Sequence, residues 1–406
     1  MASSVDTGSG LADDPKLYAV LGLAGVGVFA STLVSPALPG MASAFDLTEA
    51  RVGMVMTAFF LTAVVAIPIV GSLTDALGRR RVFLTSLVVY GLAGVAIAFV
   101  DSFAVIILLR AIQGCAFPGL LPMSITLIGD LYEGRAATTA QGFLTSITGL
   151  VGVASPLLAG ALVDVSWRLP FALYGLSFVA FVLCYVWLPE PESAPANGSS
   201  AAAASGVPSL SRVLELVREV AAALTREMRI VIVGVGVLFL VRYALFTFVP
   251  LYAVTVLGTS EFVGGLAVAV LGLGRLLAAP TAGRLVGRVG RRAVLVGSLL
   301  LFGAGTAALL LTRDPVLVLI ILGIASIGDG LFDPVANDAV TAAAAPDVRG
   351  RVVSVLEVGK TGAISVSPVA FGVLLSASSY SVLFLTGTVV LALTAVVVGL
   401  VLDGGP

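Results

Sequence analysis

Gly71-Ser72-Leu73-Thr74-Asp75-Ala76-Leu77-Gly78-Arg79-Arg80-Arg81 decides how this chain is read. Long apolar runs flank the stretch on both sides. It is therefore a short polar hairpin at a bilayer surface, built from an acid, two turn glycines and three arginines. Half a chain later, Gly283-Arg-Leu-Val-Gly-Arg-Val-Gly-Arg-Arg292 repeats the pattern. One loop occurring twice between apolar runs points to a duplicated polytopic membrane protein.

Composition agrees. Of 406 residues, 59% are hydrophobic and 11% charged, against roughly 25% charged in a soluble domain. A bilayer core takes about 20 apolar residues per helix. Such runs fall at 17–39, 52–72, 82–100, 103–129, 137–163 and 169–188, then at 229–257, 263–281, 293–312, 316–343, 353–376 and 380–402. The sequence thus predicts an all-α integral membrane protein, with 12 transmembrane helices in two pseudo-symmetric six-helix bundles. Residues 1–16 form a tail that carries Asp6, Asp13 and Asp14, unlike a signal peptide. The first bundle occupies 17–188, a linker 189–228, the second bundle 229–402, and a short tail 403–406.

An even span number puts both ends on one side. That side holds Lys16, Arg79, Arg80, Arg81, Arg135, Arg212, Arg218, Arg226, Arg229, Arg284, Arg288, Arg291, Arg292, Arg349 and Arg351. The other holds Arg51, Arg168 and Arg313. Basic loops stay inside, so both termini are expected in the cytoplasm of a plasma-membrane protein. The linker begins rich in Pro, Ser, Ala and Gly. It then repeats apolar residues at Leu210, Val213, Leu214, Val217, Val220 and Leu224, the spacing of one helix face. This reads as an amphipathic helix, lying on the cytoplasmic interface or packed on protein.

Several chemistries are excluded or disfavoured. There is no histidine, which removes imidazole metal sites, haem ligation and His acid–base catalysis, and no metal or cofactor is expected. The net charge of −1 implies no nucleic-acid partner. No Gly-x-x-x-x-Gly-Lys-Ser/Thr loop occurs, so ATP is not the direct drive. Cys115 and Cys184 lie inside apolar runs and read as small buried hydrophobes.

The halves align at an offset of about 212–216 residues. Gly78-Arg-Arg matches Gly290-Arg-Arg, Ser155-Pro156-x-x-x-Gly160 matches Ser367-Pro368-x-x-x-Gly372, and Pro118 and Arg135 match Pro334 and Arg351. Duplicated six-span halves place a substrate site at their interface near the midplane.

Three motifs carry a resemblance over nearly the whole chain: Gly71-x-Leu73-x-Asp75-x-x-Gly78-Arg79-Arg80, Arg110-x-x-Gln113-Gly114, and Gly152-x-x-Ser155-Pro156-x-x-Ala159-Gly160. On these the chain resembles the major facilitator superfamily, and within it the drug:proton antiporter branch. The third motif has Ser and Ala where that branch usually has Gly. The resemblance implies a monomer driven by a proton gradient. It implies a cytoplasmic gate at Gly71, Asp75, Gly78, Arg79, Arg80 and Asp130, in which Asp75 grips span 11 and Arg79 pairs with Asp130. For Arg80, fixing topology is an equally open role. It also implies a span-five hinge at Gly152, Ser155, Pro156 and Gly160.

An ionised side chain at the bilayer centre costs roughly 2.5–3.5 kcal/mol, so it needs a partner or a wet cavity. Arg110, Gln113 and Phe117 share one helix face, as do Asp329, Asp333 and Asn337. By resemblance they line the central cavity with Arg242, Tyr243, Ser31 and Ser35. Asp329 and Asp333 are expected to titrate, with Arg110 or Arg242 tuning them; a static Asp–Arg bridge is the plain alternative. Glu357 and Lys360 are spaced for an ion pair, within reach of Arg275. The leading expectation is proton-coupled efflux of small organic, lipophilic compounds. An uptake carrier for an organic anion, bound by Arg110 and Arg242, is the competing transport reading. An intramembrane enzyme would need a second acidic cluster that the spans lack.

Overall fold

The computed structural model describes residues 11–188, 224–345 and 348–402, apart from the side chains of Ala12 and Asp75. The amphipathic stretch expected in the linker falls almost wholly outside them. Twelve helices among the described residues are long and apolar enough to cross a membrane. Spans 1 to 6 run Pro15–Phe45, Glu49–Thr74, Arg79–Ile97, Phe103–Leu131, Gly134–Val163 and Leu169–Trp187. Spans 7 to 12 run Arg226–Thr255, Glu261–Val289, Arg291–Ala308, Pro315–Ala343, Arg349–Ser376 and Tyr380–Val401.

The ends of these helices follow from local chemistry. Asp14 caps span 1 by accepting from the Lys16 N–H at 2.9 Å. Its second oxygen accepts from the Tyr132 hydroxyl at 2.8 Å, tying the start of span 1 to the end of span 4. Burial and this neighbouring carboxylate raise the Tyr132 phenol above its ordinary value. Gly78 and Gly290 end spans 2 and 8 at φ 86° and φ 82°, a backbone region costly for any residue with a Cβ. The stretches read from sequence as polar hairpins are therefore mostly helix: Gly71 to Leu77 and Gly283 to Val289 stay helical, and a single glycine makes the same turn in each.

Span 1 and span 4 are broken near their middles. Short 3-10 turns at Ser35–Ala37 and Phe117–Gly119 coincide with Pro36 and Pro118, because proline cannot donate to the preceding turn. Span 5 and span 11 absorb Pro156 and Pro368 without a break.

The first six spans pack mainly on one another, as do the last six. Two helix pairs make most of the contact between the bundles, span 2 with span 11 and span 5 with span 8, and span 7 adds contacts with spans 1 and 2. Cys184 is buried against span 1, whereas Cys115 is exposed. The expectation of a buried thiol therefore fails for Cys115, which lies on an outward face of span 4.

Candidate functional site

Arg110 and Gln113 were expected to line a central cavity. Both are fully buried within the first bundle. The Arg110 guanidinium donates to the Val55 carbonyl at 3.1 Å and the Ala30 carbonyl at 2.7 Å. It also donates to Gln113 Oε1 at 2.9 Å and lies 4.4 Å from the Phe59 ring centroid. Gln113 in turn donates to the Tyr90 carbonyl at 3.1 Å. Glycines let the helices come this close. A Cβ at Gly94 would lie 2.5 Å from Gln113 Nε2, and one at Gly114 would lie 2.1 Å from the Phe59 carbonyl. These two residues knit spans 1, 2, 3 and 4 together and do not reach the aspartates of span 10. Phe117 packs on Phe59, with centroids 5.4 Å apart.

The second bundle holds the chemistry. Arg242 Nη1 pairs with Asp329 Oδ1 at 3.2 Å, both side chains buried. The Arg242 guanidinium lies 3.8 Å from the Phe239 ring centroid and 5.3 Å from that of Tyr243. One turn along span 10, Asp333 receives Arg275 Nη2 at 3.0 Å and Lys360 Nζ at 3.0 Å. Asn337 bridges the pair, donating to Asp333 Oδ1 at 2.8 Å and accepting from Lys360 at 3.0 Å. Lys360 also meets Glu357 Oε1 at 2.8 Å, as its spacing suggested. Asp329, Asp333 and Glu357 thus balance Arg242, Arg275 and Lys360. Separate cations on the two aspartates relieve the mutual repulsion that their spacing implied. The cluster has a rim: the side chains of Arg275 and Glu357 are 43% and 57% exposed.

Where the bundles meet, glycines again set the distance. A Cβ on Gly53 of span 2 would lie 2.6 Å from the Pro368 carbonyl of span 11. One on Gly265 of span 8 would lie 2.4 Å from the Pro156 carbonyl of span 5. These contacts are twofold equivalents, since Gly53 and Gly265 are 212 residues apart, as are Pro156 and Pro368. Gly160 also faces span 8, against Phe262, and a Cβ on Gly272 of span 8 would lie 3.2 Å from the Gly152 carbonyl. Ser155 instead bonds Thr32 at 2.7 Å, inside its own bundle. The expected hinge is therefore an unbroken helix that forms a tight seam. Phe60 meets Tyr243 across the interface at 5.3 Å, and Ser35 donates to the Phe246 carbonyl.

None of these contacts lies near the basic loops. Gly71 has nothing within 4 Å of a built Cβ, and the same holds for Gly142, Gly283 and Gly350. The bundles are joined on the face opposite the basic loops. Arg79 and Asp130 do pair, but within the first bundle. Arg291 and Asp338 make the matching bond at 2.8 Å in the second. The Arg79–Asp130 pair therefore exists without closing the basic face, because both partners belong to one bundle. Arg80 donates to the Tyr185 carbonyl at 2.7 Å and stacks on its ring, also within its bundle.

A duplicated twelve-span fold has a family match to test it. The family described as Major Facilitator Superfamily matches residues 20–273 and 231–406. The chain belongs to the Major Facilitator Superfamily. It is 32% identical over 131 residues to the multidrug transporter protein MdtP of Bacillus subtilis (strain 168), covering 30% of this chain and 24% of that one. It is 30% identical over 148 residues to the bacillibactin exporter of the same strain, covering 35% and 37%. The chain thus spans less than half the length of these curated relatives. The crystal structure of a bacterial homologue of the human lysosomal transporter Spinster matches with TM-score 0.73 and 17% identity, over 95% of this chain and 94% of that one.

In this superfamily member, Arg275, which the sequence puts within reach of Glu357 and Lys360, joins their cluster through Asp333, the carboxylate it shares with Lys360. Phe239, which floors both Arg242 and Lys360 at 3.8 and 5.5 Å, was not anticipated. A phenylalanine three residues before a mid-span arginine, on the same helix, was the available signal.

Proposed function

We propose that the protein couples proton movement to efflux of small organic compounds. One observation carries this reading: the carboxylate of Asp333 on span 10 holds Arg275 of span 8 and Lys360 of span 11. Those two helices make most of the second bundle's contact with the first. In a cluster with as many acids as cations, a proton enters only by breaking an ion pair. Neutralising Asp333 therefore frees both seam helices at once. That is the link alternating access requires between a protonation event and motion of one bundle against the other. The exposed flanks at Arg275 and Glu357 give water a route to the cluster.

The basic face is the cytoplasmic one on this reading, with both termini inside a plasma-membrane protein that works as a monomer without ATP or cofactor. Gly71, Asp75 and Gly78 then act in the opposite state, when the cytoplasmic face closes. The exporters among its relatives support an outward direction.

Asp333→Asn in proteoliposomes tests the proposal. Transport of a lipophilic dye driven by an imposed pH gradient should fall at least roughly tenfold, about 1.4 kcal/mol of coupling. Downhill dye exchange should persist. Unchanged pH-driven transport in this variant would remove Asp333 from the coupling.

Anion exchange is the second reading, favoured by the exposed Arg275 cation. Arg110 and Arg242, once expected to bind the anion, are too deeply buried to receive it. Saturable uptake of a labelled carboxylate, abolished by Arg275→Gln, would select this reading.

A further inference from the structure

Spans 2 and 8 begin with residues that normally cap helices, Thr48 and Ser260, yet neither side chain makes a capping bond. An N-cap hydroxyl ordinarily accepts from the N–H two or three positions on. Here the N–H two positions on is, in each case, taken by the other bundle. The Ala50 N–H donates to Ser376 Oγ at 3.2 Å, and Ser376 closes span 11. The Phe262 N–H donates to Asp164 Oδ1 at 3.1 Å, and Asp164 closes span 5. Ser376 spends its own proton on the Gly372 carbonyl at 2.8 Å, leaving lone pairs free to accept.

The arrangement occurs twice. Thr48 and Ser260, Ala50 and Phe262, and Asp164 and Ser376 are each separated by 212 residues. Both bonds lie at the ends of the glycine seams, on the face where the bundles are joined.

We propose that this face is latched by an exchange of helix caps. While it is closed, Asp164 and Ser376 cap spans 8 and 2 of the opposite bundles. When the bundles part, Ser260 and Thr48 turn back onto the same N–H groups. Each orphaned donor keeps a partner in both states, so the face opens without leaving bare helix ends. The device rests on the alternating-access reading above, but its signature is a population of states and does not depend on what is transported.

The exchange gives the two kinds of cap opposite effects. Spin labels at Phe99→Cys and Leu311→Cys, in a Cys115→Ser background, report the separation of the bundles on this face; both positions are well exposed. In full-length protein in nanodiscs, Asp164→Ala and Ser376→Ala should each raise the long-distance population roughly fivefold, the effect of losing one cap. Thr48→Ala and Ser260→Ala should each lower it by a similar factor. Asp164→Asn, which keeps an accepting oxygen, should stay near wild type and guards against a folding defect in the alanine variant. If Thr48→Ala and Ser260→Ala also lengthen the distance, or if all four alanine variants leave it unchanged, the exchange is wrong. Loss of dye transport with the distances shifting as stated would leave the latch standing and count only against the transport reading.

Discussion

Arg110 and Asp333 are both charged and deep in the membrane, yet they differ in kind. Arg110 spends its donors on neutral acceptors of its own bundle and is sealed from water. Asp333 is held by cations from two other helices in a buried cluster with an exposed rim. The first is a structural tie and, on the proposed reading, the second a movable one. Arg110→Ala should lower stability by about 2–5 kcal/mol, the range for emptying a large buried site. Arg110→Met, which refills the volume, should recover most of that loss, since apolar isosteres of buried charges are often well tolerated. Thermal unfolding of the purified protein in detergent measures both. An alanine variant that melts like wild type would refute the structural assignment. The sequence placed Arg110, Gln113 and Phe117 on one face correctly. It could not say which neighbour that face meets, because a helix apolar on nearly all sides carries no directional stripe. Asp333 shows the same limit from the other side: its spacing from Asp329 was plain, while its partners lie on spans 8 and 11 and had to be folded into place.

At the scale of helices, the spans and their duplication were legible because apolar runs and turn glycines are local signals. Gly78 and Gly290 needed no tertiary information. The breaks at Pro36 and Pro118 against the continuity at Pro156 and Pro368 were not legible, since a proline's effect depends on what packs beside the freed carbonyl. The glycines of span 5 were read as a hinge, but their role appears only when Gly265 is set against Pro156. That role gives a prediction. Gly265→Val or Gly53→Val puts a branched side chain where even a Cβ is 2.4 or 2.6 Å from a carbonyl oxygen. Overpacking costs typically 1–3 kcal/mol, and separating the bundles is the natural relief. Ser35→Cys, fully buried in the closed seam, should become reactive to an impermeant maleimide at least roughly fivefold faster in these variants, by the same energy range. Gly71→Val, with open space around it, should leave that reactivity unchanged and serves as the control.

For the molecule as a whole, the twofold repeat governs shape while charge breaks the symmetry. Gln113 and Asp329 are equivalent positions at an offset of 216 residues. In the first bundle the position is a neutral amide beside a sealed arginine. In the second it has become an acid paired with Arg242, in a cluster with an exposed rim. On the proposed reading the first bundle is a rigid body, and the second is the half whose packing responds to protonation. Asp333→Asn imitates the protonated state, removing the carboxylate that holds spans 8 and 11 to span 10. Hydrogen–deuterium exchange in nanodiscs should then rise in spans 8 and 11 well before any change in spans 3, 4 and 6, where Arg110 and Gln113 keep their bonds. Acidifying the wild-type protein should produce the same pattern, and the Asn variant should no longer respond to acid at those two helices. A rise spread evenly over both bundles would mean that Asp333 only stabilises the fold, and the division of labour between the halves would have to be given up.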